Sequence, residues 1–347
     1  MKKIYFYLTL LLVSLVGLSA CNNEWEDELY TRMVSLKAPI SNGDVSVIYL
    51  KYKPNSETVT YKLPVIVSGS QKNDKNYTVR IGVDNDTLND LNVSRYSDRS
   101  DLYYRQLPDN FYTLPSQTCH VPAGSDVALY NVNFNFSGLD LVEKWVLPLT
   151  ILPDASYTLN TYKGRQKALL WVIPFNDYSG TYSASSMNVT FAGMSMRPMT
   201  ANTRETRVVD ENTIFFYAGI TEELSEERGH FKVKCKFLEP HTVSEIIDPV
   251  TGENTGFFKK EGYLELSSPE TALNFTVVGT PSYEIREELD KDRPHVVKRF
   301  YTLRMKYYYD DSISSSQVVF PYYCEGSMTM QRNIDTLVPD EDQAIYW

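Results

Sequence analysis

The sequence predicts an all-β protein built as two successive antiparallel bodies, a sandwich followed by either a second β-sandwich or a lipocalin-like barrel. Three observations predict it. Short runs of alternating apolar and polar residues recur along the chain, separated by clusters of Gly, Pro, Asn and Asp. Aromatic residues make up 13% of the chain and include 26 Tyr, a side chain suited to pleated, half-buried surfaces. The 347 residues are too many for one small domain, and 42% hydrophobic with 22% charged residues describes folded rather than disordered protein.

The first segment is not part of that fold. Lys2 and Lys3 precede an apolar run from Ile4 to Gly17, and Leu18-Ser19-Ala20-Cys21 then forms a lipobox. The run is short for a transmembrane helix, and small residues before a Cys are what lipoprotein signal peptidase requires. Residues 1–20 are therefore read as a signal peptide, Cys21 as the lipidated residue, and residues 21–42 as a tether. Asn22 rather than Asp follows the Cys, and Glu24, Glu26, Asp27 and Glu28 make an acidic cluster behind it. Lipid anchoring predicts attachment to an outer membrane, and the acidic cluster resembles the surface-export signal of Bacteroidetes lipoproteins, which implies that the protein faces the cell exterior.

Residues 43–175 form the first body. Strand periodicity marks 45–50, 59–67, 77–83, 130–136, 145–151 and 167–173. The polar stretch from Asp84 to Asn92, with spaced Leu, predicts one short helix capped by Asp84 or Asn85. Val121-Pro122-Ala123-Gly124-Ser125 reads as a turn, and 153–164 as a loop. Pro174-Phe175-Asn176-Asp177 marks the break between the bodies. In residues 176–347, strands are expected at 178–182, 213–220, 230–238, 262–266, 272–278, 300–309, 317–323 and 326–331. Residues 248–256 read as a hairpin loop, and the charged 284–293 as a long loop or a frayed helical turn.

Several stretches occur in a telling order. They are Leu63-Pro64-Val65-Ile66-Val67-Ser68-Gly69, Val79-Arg80-Ile81-Gly82-Val83-Asp84, Leu107-Pro108-Asp109-Asn110-Phe111-Tyr112, Val121-Pro122-Ala123-Gly124 and Trp145-Val146-Leu147-Pro148-Leu149. Together they resemble a domain of Bacteroidetes surface lipoproteins that also stands at the N-terminus of some secreted family-eighteen glycoside hydrolases. The second half, through Tyr178-Ser179-Gly180-Thr181-Tyr182, resembles the β domain that follows this platform in two-domain lipoproteins of polysaccharide-utilisation loci. The resemblance implies an immunoglobulin-like sandwich in the first half. It also implies a surface glycan-binding protein that captures oligo- or polysaccharide beside an outer-membrane transporter complex.

The chemistry-bearing residues point the same way. A glycosidase needs two carboxylates facing one bond, but 44 Asp and Glu make pairs plentiful and uninformative. The Asp-x-Asp-x-Glu-like motif of the related hydrolases and the length for their barrel are lacking; Asp290-Lys291-Asp292 comes nearest and reads as a charged loop. His120, His230, His241 and His295 have no metal-ligand spacing, and neither Cys-x-x-Cys, a nucleophile elbow nor a phosphate loop occurs. No metal or cofactor is therefore expected. A net charge of −10 disfavours nucleic acid as a partner. With Cys21 lipidated, Cys119, Cys235 and Cys324 remain, and whether the last two pair is open.

Sugars present apolar C–H faces and hydroxyl fringes, which aromatic rings and side chains such as Asp and Asn complement. Two clusters carry those types at strand or chain ends: Tyr307, Tyr309, Asp310 and Asp311, and Tyr346 with Trp347. These are the candidate ligand-binding residues. The alternatives to a non-catalytic glycan binder are a glycoside hydrolase with an unfamiliar β domain and an adhesin or structural partner of a transporter complex.

Overall fold

The computed structural model describes residues 28–39, 45–55, 57–194, 197–248, 250–315, 317–339 and 343. Cys21, Tyr346 and Trp347 lie outside them. The fold is all-β, and the described residues form nineteen strands in three sheets.

Two sheets make the first body. One contains β1 (Met33–Leu36), β3 (Val59–Ser68), β8 (Val127–Phe134) and β6 (Tyr112–Thr113), in that spatial order. The other contains β2 (Ser46–Lys51), β10 (Lys167–Phe175), β9 (Lys144–Ile151), β4 (Tyr77–Val83) and β7 (Thr118–Val121), with β5 (Tyr104–Gln106) also beside β9. Alternating residues of the two sheets meet in one core, among them Leu63, Val65 and Phe134 from the first and Ile81, Leu147 and Leu170 from the second.

Strand β9 is apolar on both faces for a reason. Leu147 and Leu149 face the sandwich core, while Val146 packs with Val45, Leu169, Tyr104 and Leu88 on the other side. Leu88 belongs to helix α1 (Asn85–Tyr96), which covers that face. Asp84 caps the helix by accepting the Thr87 N–H at 3.2 Å. The helix runs past the expected Asn92 because buried Asn92 is held inside it by Tyr104. The Asn92 amide donates to the Tyr104 carbonyl and its oxygen accepts the Tyr104 N–H, both at 2.8 Å.

The tether expected over 21–42 is too long. Strand β1 pairs with β3 and buries Val34 and Leu36, so the chain joins the sandwich by Met33. Glu28 adds a tie: its carboxylate accepts from the Ser70 N–H at 2.6 Å and pairs with Arg32 at 2.9 Å. Trp145 and Trp171 are partly exposed, and the Trp145 indole donates to the Asp140 carbonyl at 2.6 Å.

The remaining strands form one nine-stranded sheet. They are β11 (Gly180–Phe191), β12 (Thr203–Asp210), β13 (Thr213–Tyr217), β14 (Lys232–Ile247), β15 (Asn254–Ser267), β16 (Thr276–Val277), β17 (Ser282–Leu289), β18 (Val296–Asp311) and β19 (Phe320–Asp335). All but β16 follow one another as antiparallel neighbours, and β19 pairs back onto β11 as well as β18. The pairings therefore close into an up-and-down ring, a barrel-like closure of the second antiparallel body. Tyr182, Phe216, Val233, Cys235, Leu303, Tyr307 and Cys324 fill it. This interior is packed with side chains, as a small barrel allows.

The charged stretch expected as loop or helix at 284–293 is largely strand β17. Tyr283 and Ile285 face the barrel core and Glu284 points out to pair with Lys259 at 3.4 Å, while Glu287, in phase with Tyr283 and Ile285, pairs with the cross-strand Arg299 at 2.7 Å. Asp290 closes the following turn: it is buried and accepts the N–H groups of Asp292 and Arg293 at 2.9 and 3.1 Å. Cys119, Cys235 and Cys324 are all buried free thiols. Burial pushes Cys324 up to about 12.

The two bodies pack against each other. Phe215 and Tyr217 turn their rings out of the barrel and belong to the core of the first body. Around them Lys232 pairs with Asp140 at 2.8 Å, Arg228 donates to the Asp101 carbonyl at 2.9 Å, and Arg99 donates to the Leu224 carbonyl at 3.2 Å.

Candidate functional site

Strand alternation decides which of the expected binding residues can reach a ligand. Leu303, Met305, Tyr307 and Tyr309 face inward along β18. The expectation that Tyr307 and Tyr309 contact ligand is therefore corrected: each is only 2% exposed. The Tyr307 hydroxyl accepts the Gly219 N–H at 3.2 Å, and the Tyr309 ring stacks on Tyr322 with centroids 5.0 Å apart. Burial drives both phenols well above their ordinary range. Asp311 is corrected too. It is buried and accepts the N–H groups of Ile313 and Ser314 at 3.1 and 2.8 Å, as a turn cap.

Asp310 faces the other way. It is partly exposed and accepts from the Asn274 amide at 2.9 Å. The ring that points outward is Tyr308, 42% exposed, which the expectation missed. A signal for it exists upstream. Leu303 and Met305 are apolar while Arg304 and Lys306 are charged, and carrying that phase forward puts 308 outside.

Register builds an outward strip around Tyr308. It lies opposite Thr276 of β16 on one side and Tyr323 of β19 on the other, and Tyr323 lies opposite Thr190 of β11. The rings of Tyr308 and Tyr323 have centroids 4.7 Å apart at 33°. One row along, Lys306 pairs with Glu325 at 3.3 Å, and the Tyr323 hydroxyl donates to the same carboxylate. That hydrogen bond moves Tyr323 up to about 12 and holds Glu325 below the usual carboxylate range. Tyr323 therefore stays protonated and Glu325 ionised at neutral pH.

The strip ends at an open groove of about 510 Å³ between the end of β15 and β16. Glu270, Asn274 and Thr276 are among its lining residues. Glu270 contacts His230 at 2.8 Å, and this bond lowers its pKa. His230 also lies 3.4 Å from Glu227. On the β11 and β19 side, Val318, Val319 and Met194 are exposed beside the partly buried rings of Phe191, Phe320 and Tyr322. Among the described residues no set of three His, Cys, Asp or Glu side chains converges as a metal ion would need.

The comparisons with known proteins match the two-body layout. A model of a domain of unknown function, DUF4973, matches residues 25–155, and a C-terminal domain model of a "-like" family matches residues 166–329. A Bacteroides ovatus protein of unknown function has a crystal structure similar to this chain at 38% identity and TM-score 0.76, covering 91% of this chain and 100% of its own. The chain belongs to this two-domain family of Bacteroides proteins. A second Bacteroides ovatus member, a multidomain protein including DUF1735, matches at 38% identity and TM-score 0.75, over 90% of this chain and 99% of its own. An auxiliary nutrient binding protein from Bacteroides thetaiotaomicron matches at 30% identity and TM-score 0.73, over 90% and 100%. None of the curated proteins matches the sequence.

Proposed function

We propose that this protein is a non-catalytic glycan-binding lipoprotein, anchored in the outer membrane through Cys21 and facing the cell exterior, that captures oligo- or polysaccharide for uptake. In this reading residues 43–175 are the platform and residues 176–347 carry the ligand. The observation that carries it is the outward Tyr308–Tyr323 pair, fringed by Lys306, Glu325, Asp310 and Asn274, beside a groove. Rings for C–H faces and polar groups for hydroxyls are what sugar recognition requires. The family relationship to a protein named for nutrient binding supports the same reading. A glycosidase would want one carboxyl raised in pKa to act as acid. Glu325 and Glu270, beside the strip and the groove, are both lowered, which favours binding over cleavage.

The test is a glycan array probed with the chain lacking residues 1–21, with product analysis of every hit. A hit left intact supports capture. A shortened hit makes the protein a glycosidase, and no hit at all moves the reading to a protein partner such as a transporter complex. The anchor is tested separately: Cys21→Ser should release the protein from membranes, and protease added to intact cells should digest the wild type. Membrane retention of the variant would sink the anchoring, and resistance to protease the outward orientation.

A further inference from the structure

The strip carries information about which glycan it can hold. It crosses three inter-strand gaps from Thr276 through Tyr308 and Tyr323 to Thr190, a span of about 14 Å at ordinary strand spacing. A single sugar ring does not cover that length. It lies on the outside of a barrel wall and opens into the groove beside β16.

Its charged groups are mostly carboxylates. Glu325 stands beside Tyr323, Asp310 stands two residues beyond Tyr308, and Glu270 lines the groove with Glu227 behind His230. Of the cations on this face of β18, Lys306 is engaged by Glu325 at 3.3 Å and Arg304 by Glu284 at 3.5 Å. The chain as a whole carries a net charge of −10. A ligand carboxylate laid on this strip would face several like charges with its nearest counter-charge already taken. Neutral sugar hydroxyls would instead donate to the same carboxylates, which are acceptor-only groups.

Resting on the glycan-binding reading above, we infer that the ligand is a neutral, extended oligosaccharide lying across β16, β18, β19 and β11, and that Asp310, Glu270 and Glu325 exclude acidic sugars. The probe is the neutral oligosaccharide that binds best on the array, compared with the same molecule after oxidation of its primary alcohols to carboxylates. The oxidised form should bind at least about tenfold more weakly, a factor that like-charge repulsion readily supplies. Converting those carboxylates to uncharged amides should restore most of the loss, which separates charge from shape. Raising the ionic strength to about 1 M, where the Debye length falls to about 3 Å, should narrow the ratio. The double variant Asp310→Asn with Glu270→Gln should narrow it as well. Affinity for the neutral series should also rise with length from one sugar to several.

Equal affinity for the acidic form, or tightest binding by a monosaccharide, would overturn this inference and leave glycan capture standing. An acidic form that stays weak as the amide would overturn the charge argument alone. Binding that is indifferent to Tyr308→Ala would overturn the placement of the site, and the inference with it.

Discussion

At position 308 the ring leaves the barrel, and at 307 and 309 it enters it. That one-residue phase divides two kinds of tyrosine with opposite mutational signatures. Tyr308→Ala should leave the melting temperature nearly unchanged and weaken glycan binding by roughly 0.5–1.5 kcal/mol, the value of one aromatic contact. Tyr307→Ala removes a fully buried ring and should destabilise the protein by about 3–5 kcal/mol. Calorimetry for binding and thermal melts for stability would separate the two, and a reversal of the pattern would mean that β18 is out of phase. Asp290 makes a prediction about pH. The backbone N–H of Asp292, with Arg293 and Lys298, holds its carboxyl well below the usual range. A depressed folded pKa stabilises above the unfolded value of about 4 and loses that contribution as pH falls through the folded pKa. Melts from neutral pH downward should therefore show a steeper acid loss in the wild type than in Asp290→Asn. Parallel curves would show that the contacts are not maintained in solution.

Strand β19 is one element where the sequence pattern suggests two. The runs 317–323 and 326–331 join through Gly326, whose φ of 145° lies in the range that favours glycine. A Cβ there would stand 2.0 Å from the Ser186 carbonyl oxygen of β11. The β11–β19 register shifts at that place, between Ser183 and Ser186. Glycine thus permits the close approach by which β19 closes the ring onto β11. Gly326→Ala should cost on the order of 1–3 kcal/mol, and the amides of β11 should exchange with solvent faster than those of β14. Uniform protection with no loss of stability would show that the seam tolerates a side chain. Strand β17 teaches the converse. Its Glu and Arg residues look like a loop, yet Glu284, Arg286 and Glu288 decorate the outer face of a strand whose other face holds Tyr283 and Ile285.

The two bodies share apolar surface. Phe215 and Tyr217 project from the barrel into the core of the first sandwich, with the Lys232–Asp140 ion pair at 2.8 Å and the Arg228–Asp101 hydrogen bond at 2.9 Å beside them. Separating the halves would expose both rings. A calorimetric scan of the whole chain should therefore show one unfolding transition with van't Hoff and calorimetric enthalpies in agreement. Two resolved transitions would mean that the halves fold independently. The packing also bears on ligand capture. It couples the platform to the barrel, so the Tyr308–Tyr323 strip is presented on a stiff body rather than on a freely swinging domain.

By itself the sequence determined the all-β class, the two-body order, most of the strands and a short helix capped by Asp84 or Asn85. Each of these rests on local chemistry: period-two alternation, turn residues and an Asp three residues before the N–H it accepts. It also made the chain's acidity plain, a charge that disfavours nucleic acid as a partner. What only the tertiary structure decided were relations between distant residues. The closure of β19 on β11 joins positions that the chain separates by most of a domain. The partners of Tyr308, namely Thr276 and Tyr323, are set by strand register, and no local pattern encodes which residue lies opposite which. The inward fate of Tyr307 and Tyr309 was partly legible from Leu303 and Met305, but a run of three tyrosines hides its own phase because all three side chains suit either face.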